Sequence, residues 1–572
     1  MRQVNKWQKG DNQHPVTYYL LLVTSLSKGT TPMKKHSTNI ILAALLALAL
    51  LLSACSQAEP SGQGGASGSS EESDVLQGTP LTQREPADHV FSINYDPEGS
   101  FNPVRADNAA NMQFWSLLYD CVFYQDQNFE LGSEIVTSWT TDDNIWWVFN
   151  VRTDLVFSDG TPLTAHDVAY SIQTAKNTAY YSGRLDLIYG ISAMSDDIFA
   201  ITTAYADSML PSLLTIPIIQ RGDYYEDYPT GSGPYVLNEA HTALELNPLN
   251  RHADEMPLEI IYLKDYTDTS ERITAFEESR IDIVTNDPTG MYNVGYGSTN
   301  EIRYMDTSNL HFLGFNLLSK YFSNIRTRTA MAYAIDRATI AAELMGTDCG
   351  VAAVLPVHPK SPLYDASYAA GYEYNPKRAE SLFRSVIDDL DNDGALEMLV
   401  TGIVVELNIK FIVNGDSSAK IAAAQQITDC LNEMGITTHL YELSWEEYIE
   451  ALETGDYDVY YGEVRLGADW DMSYLYEVPG INERLKGEWE QNYFRTQDTT
   501  YTEYYAAYLA APETERYERF QELAHYIMDT AIILPICFER RQVLTHRGVV
   551  SGLVATQFDL FYNIKDWNVN LS

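Results

Sequence analysis

Basic residues are scarce in this chain: 37 Lys and Arg stand against 79 Asp and Glu, a formal charge of -42, and no long basic run occurs. Phosphate binding relies on Lys/Arg neutralisation, so nucleic acid is disfavoured as a partner, and a small ligand or a cationic partner fits better. Cysteine is scarcer still, five in 572 residues, with no C-x-x-C pair, so a cysteine metal cluster is not expected. G-x-S-x-G, H-E-x-x-H, Walker A and G-x-G-x-x-G are all missing, which leaves no visible hydrolase nucleophile, zinc pair or phosphate cradle. The absence of a short internal repeat excludes solenoids and propellers. The eleven His are scattered and read as surface or core residues rather than metal ligands. Aromatic residues are abundant by contrast: 40 Tyr and 9 Trp in a chain that is 45% hydrophobic and 20% charged. That composition is globular, and the length implies two or more lobes.

Asn39 to Ala54 is an apolar run preceded by Lys34 and Lys35 and followed at once by Cys55. This is the layout of a signal peptide. The apolar stretch is about 13 residues, short of the ~20 that span a bilayer. Leu52-Ser53-Ala54-Cys55 resembles a bacterial lipobox, in which the Cys is diacylated and becomes the first mature residue. Met33 immediately precedes the two lysines, so translation is expected to start near Met33, with residues 1–54 removed. Residues 55–85, rich in Ser and Gly, read as a flexible tether. Loss of residues 1–54 takes away six basic residues and one acid, leaving 31 against 78; the exported body is more acidic still. If Cys55 carries lipid, Cys121, Cys349, Cys430 and Cys537 remain. Buried free thiols are expected there, with one or two disulfides as the alternative.

The clearest pattern runs from Glu406 to Val464. Leu407, Ile409, Phe411 and Val413 alternate as in a strand, and Ala424, Ile427, Leu431 and Met434 share a helix face that ends at Gly435. Ile436 to Tyr441 reads as a second strand. Ser444 and Glu447 then form a capping box for a helix stopped by Gly455, and Tyr457, Val459 and Tyr461 alternate again. Strand, helix, strand, helix, strand predicts βαβ units in a mostly parallel sheet, with a ligand beyond the strand ends near Gly462 to Trp470. Weaker signals predict strands at 260–263 and 281–284 around a helix at 270–278, and further strands at 91–95, 121–124 and 145–151. Thr164, three residues before Asp167, reads as a helix cap. Asp389-x-Asp391-x-Asp393-Gly394 resembles half of an EF-hand loop, but Val400 stands where the bidentate Glu belongs; a solvated acidic turn is the favoured reading, with a weak calcium site using Glu397 as the alternative.

Several stretches, taken in order, resemble the peptide/nickel class of solute-binding lipoproteins that serve ATP-driven importers, the bacterial extracellular solute-binding proteins of family 5. Val151-Arg152 through Val168, with its Phe-Ser-Asp-Gly-Thr-Pro turn, is similar to the signature of that family. Gly231-Ser232-Gly233-Pro234-Tyr235, Phe315-Asn316, Ile325-Arg326 leading to Ala334-Ile335-Asp336-Arg337, Tyr374-Asn375-Pro376 and Gly455-Asp456-Tyr457-Asp458 follow at the family's positions. The resemblance implies an α/β, two-lobed periplasmic-binding-protein-like (type II) fold with an extra subdomain inserted in the first lobe. Lobe I would take residues 86–121, 231–310 and 528–572, the insert 122–230, and lobe II 311–527.

In peptide-binding members an Asp of a Trp-x-Ala-Asp segment pairs with the ligand's α-ammonium group. Leu466-Gly467-Ala468-Asp469 occupies that place, which makes Asp469 the leading ligand residue, against the plainer reading of a helix cap or surface acid. Leu466 replaces the usual Trp, which puts peptide specificity in question. Trp470 could supply the aromatic wall or belong to the core, Asp471 could replace Asp469, and Arg465 is a weaker candidate for the ligand's carboxylate. The implied molecule is a monomeric, lipid-anchored receptor on the extracytoplasmic face of the cell membrane that passes peptides to an ABC importer permease. It would have no enzymatic activity, cofactor, metal or nucleic acid partner. The alternatives are another solute (a nickel complex, an oligosaccharide or an opine), a secreted glycosidase or other hydrolase, and a surface lipoprotein without an importer.

Overall fold

The computed structural model describes residues 89–289, 300–346, 348–390, 392, 396–486 and 491–571. The signal segment, Cys55 and the tether lie outside these residues, as do Asp391, Asp393 and Gly394 of the acidic turn. Along the chain run β1 (Ser92–Tyr95), β2 (Val136–Thr141), β3 (Trp146–Val151), α1 (Ala165–Ala175), β4 (Ile188–Ala193), β5 (Ile198–Thr203), β6 (Tyr235–Leu237), β7 (Ala243–Leu246), β8 (Ile260–Asp265), α2 (Thr269–Glu277), β9 (Ile283–Asn286) and β10 (Glu301–Phe315). There follow β11 (Ile409–Asn414), α3 (Ser418–Glu433), β12 (Thr438–Leu443), α4 (Trp445–Thr454), β13 (Val459–Arg465), α5 (Thr500–Ala510), α6 (Glu513–Thr530) and β14 (Ile533–Thr545).

The local signals behave as their chemistry requires. Thr164 caps α1, with its amide and hydroxyl donating to Asp167 Oδ2 at 2.9 and 2.7 Å. Ser444 caps α4 in the same manner, donating from its amide and hydroxyl to Glu447 Oε2 at 3.1 and 2.7 Å. Gly455 ends α4 at φ +79°, a conformation glycine adopts without a Cβ clash. The Gly-Ser-Gly segment at 231–233 is fixed by close approach instead: a Cβ on Gly231 would sit 2.1 Å from the Leu118 carbonyl oxygen.

Two strand positions differ slightly from expectation. The second strand of the βαβ run begins at Thr438 rather than Ile436, and the segment near 121–124 forms a strand only at Tyr124–Gln125, paired with Leu131–Gly132. The larger correction concerns the sheet. β11 pairs in parallel with β12 and β13, as the βαβ pattern demands, but the sheet order is β12-β11-β13-β10-β14-β9, and every pairing of β10, β14 and β9 is antiparallel. The sheet is therefore mixed, because the chain re-enters it from sequence regions far outside the βαβ run. β11 is buried on both faces, with Phe411, Ile412 and Val413 all fully buried, so its apolar residues are continuous and not alternating.

Two further four-stranded sheets lie upstream, β1-β8-β7-β6 and β2-β3-β5-β4. Burial divides into two main cores. One gathers β1, β3, α1, β5 and β8 with Leu553, Phe561 and Trp567; the other gathers β11, α3, β13, α5 and α6. Among the labelled elements, β10 and β14 feed both. Met305 and Val543 pack in the first core, while Leu310 to Phe315 and Ile533 to Phe538 pack in the second. The two strands pair along their length with a register break between Asp306 and Leu310. They are the crossing strands of a two-lobed molecule, and the register break lies where they pass from one core to the other.

Among the described residues no disulfide is formed; Cys349, Cys430 and Cys537 are buried thiols, whereas Cys121 is partly exposed. Among the described residues, no helix is long and apolar enough to cross a membrane.

Candidate ligand-binding site

The carboxyl end of β13 is tied to the crossing-strand bulge. The Leu466 amide donates to the Ser308 carbonyl at 3.0 Å, and the Ser308 hydroxyl donates back to the Leu466 carbonyl at 2.7 Å. The chain then turns sharply, with the Trp470 amide donating to the Gly467 carbonyl at 3.1 Å and Trp470 itself at φ +61°. A left-handed conformation is uncommon for a bulky residue and is held here by packing. The indole is buried, 5.3 Å from the Phe129 ring and 5.9 Å from that of Phe538, and Phe129 lies 4.7 Å from His358. Phe129 comes from the turn after Gln125, so this aromatic stack joins the turn to the second core.

Fixing Trp470 places Asp469 and Asp471 together. Asp469 accepts from the Tyr505 hydroxyl at 3.0 Å and from the Asp471 amide at 3.4 Å. Asp471 accepts from the amide and hydroxyl of Ser473 at 2.7 and 2.8 Å. A third carboxylate joins them from the other side: Asp207, almost fully buried, accepts from the Met209 amide at 2.8 Å. Among the described residues, none of the three makes an ion pair.

The electrostatic consequence is consistent across the group. Burial, then the charge of Asp469, pushes Asp207 up to about 7 and Asp471 up to about 6, and burial raises Asp469 as well. Arg516 offsets this only partly at Asp207, as does Arg184 at Asp469. Burial that is not matched by a counter-charge disfavours the ionised form. The three carboxylates form an acidic group short of positive charge.

Three of the four residues singled out in the sequence thus meet in one turn. Arg465 does not join them; it is exposed, with its guanidinium 5.8 Å from the Phe558 ring centroid. A separate cavity of about 240 Å³, lined by Asp126, Arg303, Asp306 and Lys360 among others, contains none of the four. Sequence reasoning missed Asp207 and Tyr505. Tyr505 carried a signal, since Tyr501, Tyr505 and Tyr508 recur at steps of four and three on α5 and all are buried. Asp207 carried none, being one acid among 79.

The profile of the bacterial extracellular solute-binding proteins, family 5 (Middle), matches residues 130–481, more than half of the chain. The chain belongs to this family. Among its relatives, the oligopeptide-binding protein AppA of Bacillus subtilis is 22% identical over 454 residues, covering 74% of this chain and 80% of AppA. The probable deoxycholate-binding periplasmic protein YgiS of Escherichia coli is 21% identical, covering 82% of this chain and 90% of YgiS. The unliganded open form of MppA, a periplasmic murein tripeptide-binding protein, superposes with a TM-score of 0.67 at 16% identity, covering 85% of this chain and 99% of that structure. That likeness bears on fold, and it agrees with the two cores and crossing strands: the fold is α/β and two-lobed, of the periplasmic-binding type. The family 5 chain is a solute-binding protein of the kind that serves ABC importers, and its relatives are named for the solutes they bind.

Proposed function

We propose that this family 5 protein is an extracytoplasmic receptor, anchored through lipid on Cys55, that captures a peptide between its lobes and delivers it to an ABC importer permease. Asp469 receives the ligand's α-ammonium group, with Asp471 and Asp207 adding negative potential and Trp470 holding the turn. Arg465 stays assigned to the ligand's carboxylate. The lobes run as the family resemblance implies, with residues 86–121, 231–310 and 528–572 forming the first, 122–230 its insert and 311–527 the second; the change of core between Met305 and Leu310 supports the division there. The mechanism is closure about β10 and β14, in which a ligand touching both lobes stabilises the closed state.

The observation that carries this reading is the group of three carboxylates with no ion-pair partner among the described residues. A desolvated carboxylate gains ~1.5–3 kcal/mol from a charge-assisted hydrogen bond to an ammonium group. The same group would repel an anionic solute such as a bile acid. The names of AppA and MppA point to peptides as well. A thermal-shift panel of peptides, neutral sugars, nickel complexes and deoxycholate tests the assignment: peptides should raise the melting temperature. A rise with sugar or deoxycholate and none with any peptide would refute it.

A further inference from the structure

A second polar group lies on one face of the central sheet, before the Asp469 turn. His311 on β10 stands opposite Glu463 on β13 and opposite Cys537 on β14, and Glu539 follows Cys537 on the same face two residues on. One ligand atom from each of His311, Glu463 and Glu539 lies within 4.8 Å of the others. His311 is fully buried; its Nδ1 is 3.2 Å from the Tyr461 hydroxyl, while Nε2 has no hydrogen-bond partner. Asn309 bridges the two carboxylates from below, its amide donating to Glu539 Oε2 at 2.5 Å and more weakly to Glu463 Oε1 at 3.4 Å.

We propose that His311, Glu463 and Glu539 bind a divalent transition-metal ion. Two carboxylates and one imidazole form a nitrogen/oxygen donor set suited to Zn²⁺ and its first-row neighbours. An unpartnered buried imidazole nitrogen beside two acids brought together by one amide is costly unless a cation completes the group. The Tyr461 contact at Nδ1 fixes the ring's orientation as an outer-shell partner does and leaves Nε2 for the ion. Lys420 pairs with Glu463 through Oε2 and supplies one positive charge, and Asp287 and Arg541 also face the group. The Oε1 atom, with only the long Asn309 contact, remains for a metal. Glu463 is exposed to solvent, which gives the ion a way in. Cys537 stands opposite His311 on β14 but is not among the residues whose ligand atoms come together here. Because the three ligands come from three adjacent strands, two of them the crossing strands, a bound ion would brace the sheet where the lobes join.

This inference is independent of the peptide assignment. Purified protein, stripped with a chelator and dialysed, should bind one equivalent of Zn²⁺ by titration calorimetry and rise in melting temperature. H311Q and E539Q should each weaken binding by about tenfold or more while keeping the far-UV circular dichroism of the parent, and D469N should bind Zn²⁺ as the parent does. No Zn²⁺ binding by the parent would overturn the proposal, with Lys420 and Arg541 then supplying the counter-charge. Unchanged affinity in both H311Q and E539Q would also overturn it. Should one variant fail to fold, the other carries the test.

Discussion

Two groups of acids in this molecule have opposite electrostatic fates. In the first core, Arg251 holds Asp120 at 2.8 and 3.0 Å and Glu134 at 2.5 and 2.8 Å, and His252 adds a 2.7 Å contact to Glu134. Although burial opposes ionisation there, the Arg251 charge and its hydrogen bonds, with help from His252, bring Glu134 down to about 2. Asp207 is buried and Asp469 and Asp471 are partly buried, yet among the described residues no cation is bonded to any of them and all three are raised. The first group has its counter-charge in place; the second lacks one among the described residues, and the proposed ligand ammonium would supply it.

The contrast is tested most severely at Arg251. R251M removes the cation that joins Asp120 to Glu134, and breaking such a largely buried pair costs about 3 kcal/mol; a fall of that order in the urea-unfolding free energy is expected. The Asp469 group should respond in the other sense. D469N should reduce peptide affinity tenfold or more, measured calorimetrically, with the ligand-free melting temperature unchanged or slightly raised because a desolvated charge is gone. Equal affinity would move the ammonium contact to Asp471.

The pH dependence separates the groups as well. Asp471 and Asp207 have folded values near 6 and 7, above the ~3.9 of an unfolded Asp, so the folded state binds more protons between those limits. Ligand-free stability should therefore fall as pH rises from about 4 to 7 on their account, while affinity for a peptide ammonium rises over the same range as they ionise. Glu134 has the reverse sign: its stabilisation is complete above the unfolded value of ~4.3 and is lost as pH falls towards 2. Melting temperatures and calorimetric affinities at pH 5 and pH 8 would show whether stability and affinity move in opposite directions. The smallest effect belongs to Y505F, which removes one hydroxyl donor from Asp469 and should cost about 1 kcal/mol of binding, a few-fold change.

What could be seen in the sequence was local. The caps at Thr164 and Ser444 and the stop at Gly455 are set by chemistry within a few residues, and they stand where the pattern put them. The turn at 466–471 was placed through the family's segment order, and its two acids and Trp470 do converge. The crossing strands were not legible: from Thr307 to Phe315 β10 is buried without interruption, so no period of two marks it as a strand. Sheet direction was missed for the same reason, since β10 and β14 meet across more than 200 residues of chain. Asp207 approaches Asp469 over a similar separation, and nothing in its neighbours announces the encounter.

The central claim is that the Asp469 group is reserved for a positive charge on the ligand. Its most direct test compares one peptide with its N-acetylated form, measured by calorimetry on the parent protein and on D469N. Acetylation should cost the parent tenfold or more in affinity and cost D469N little. Equal affinity of the parent for both peptides would contradict the claim.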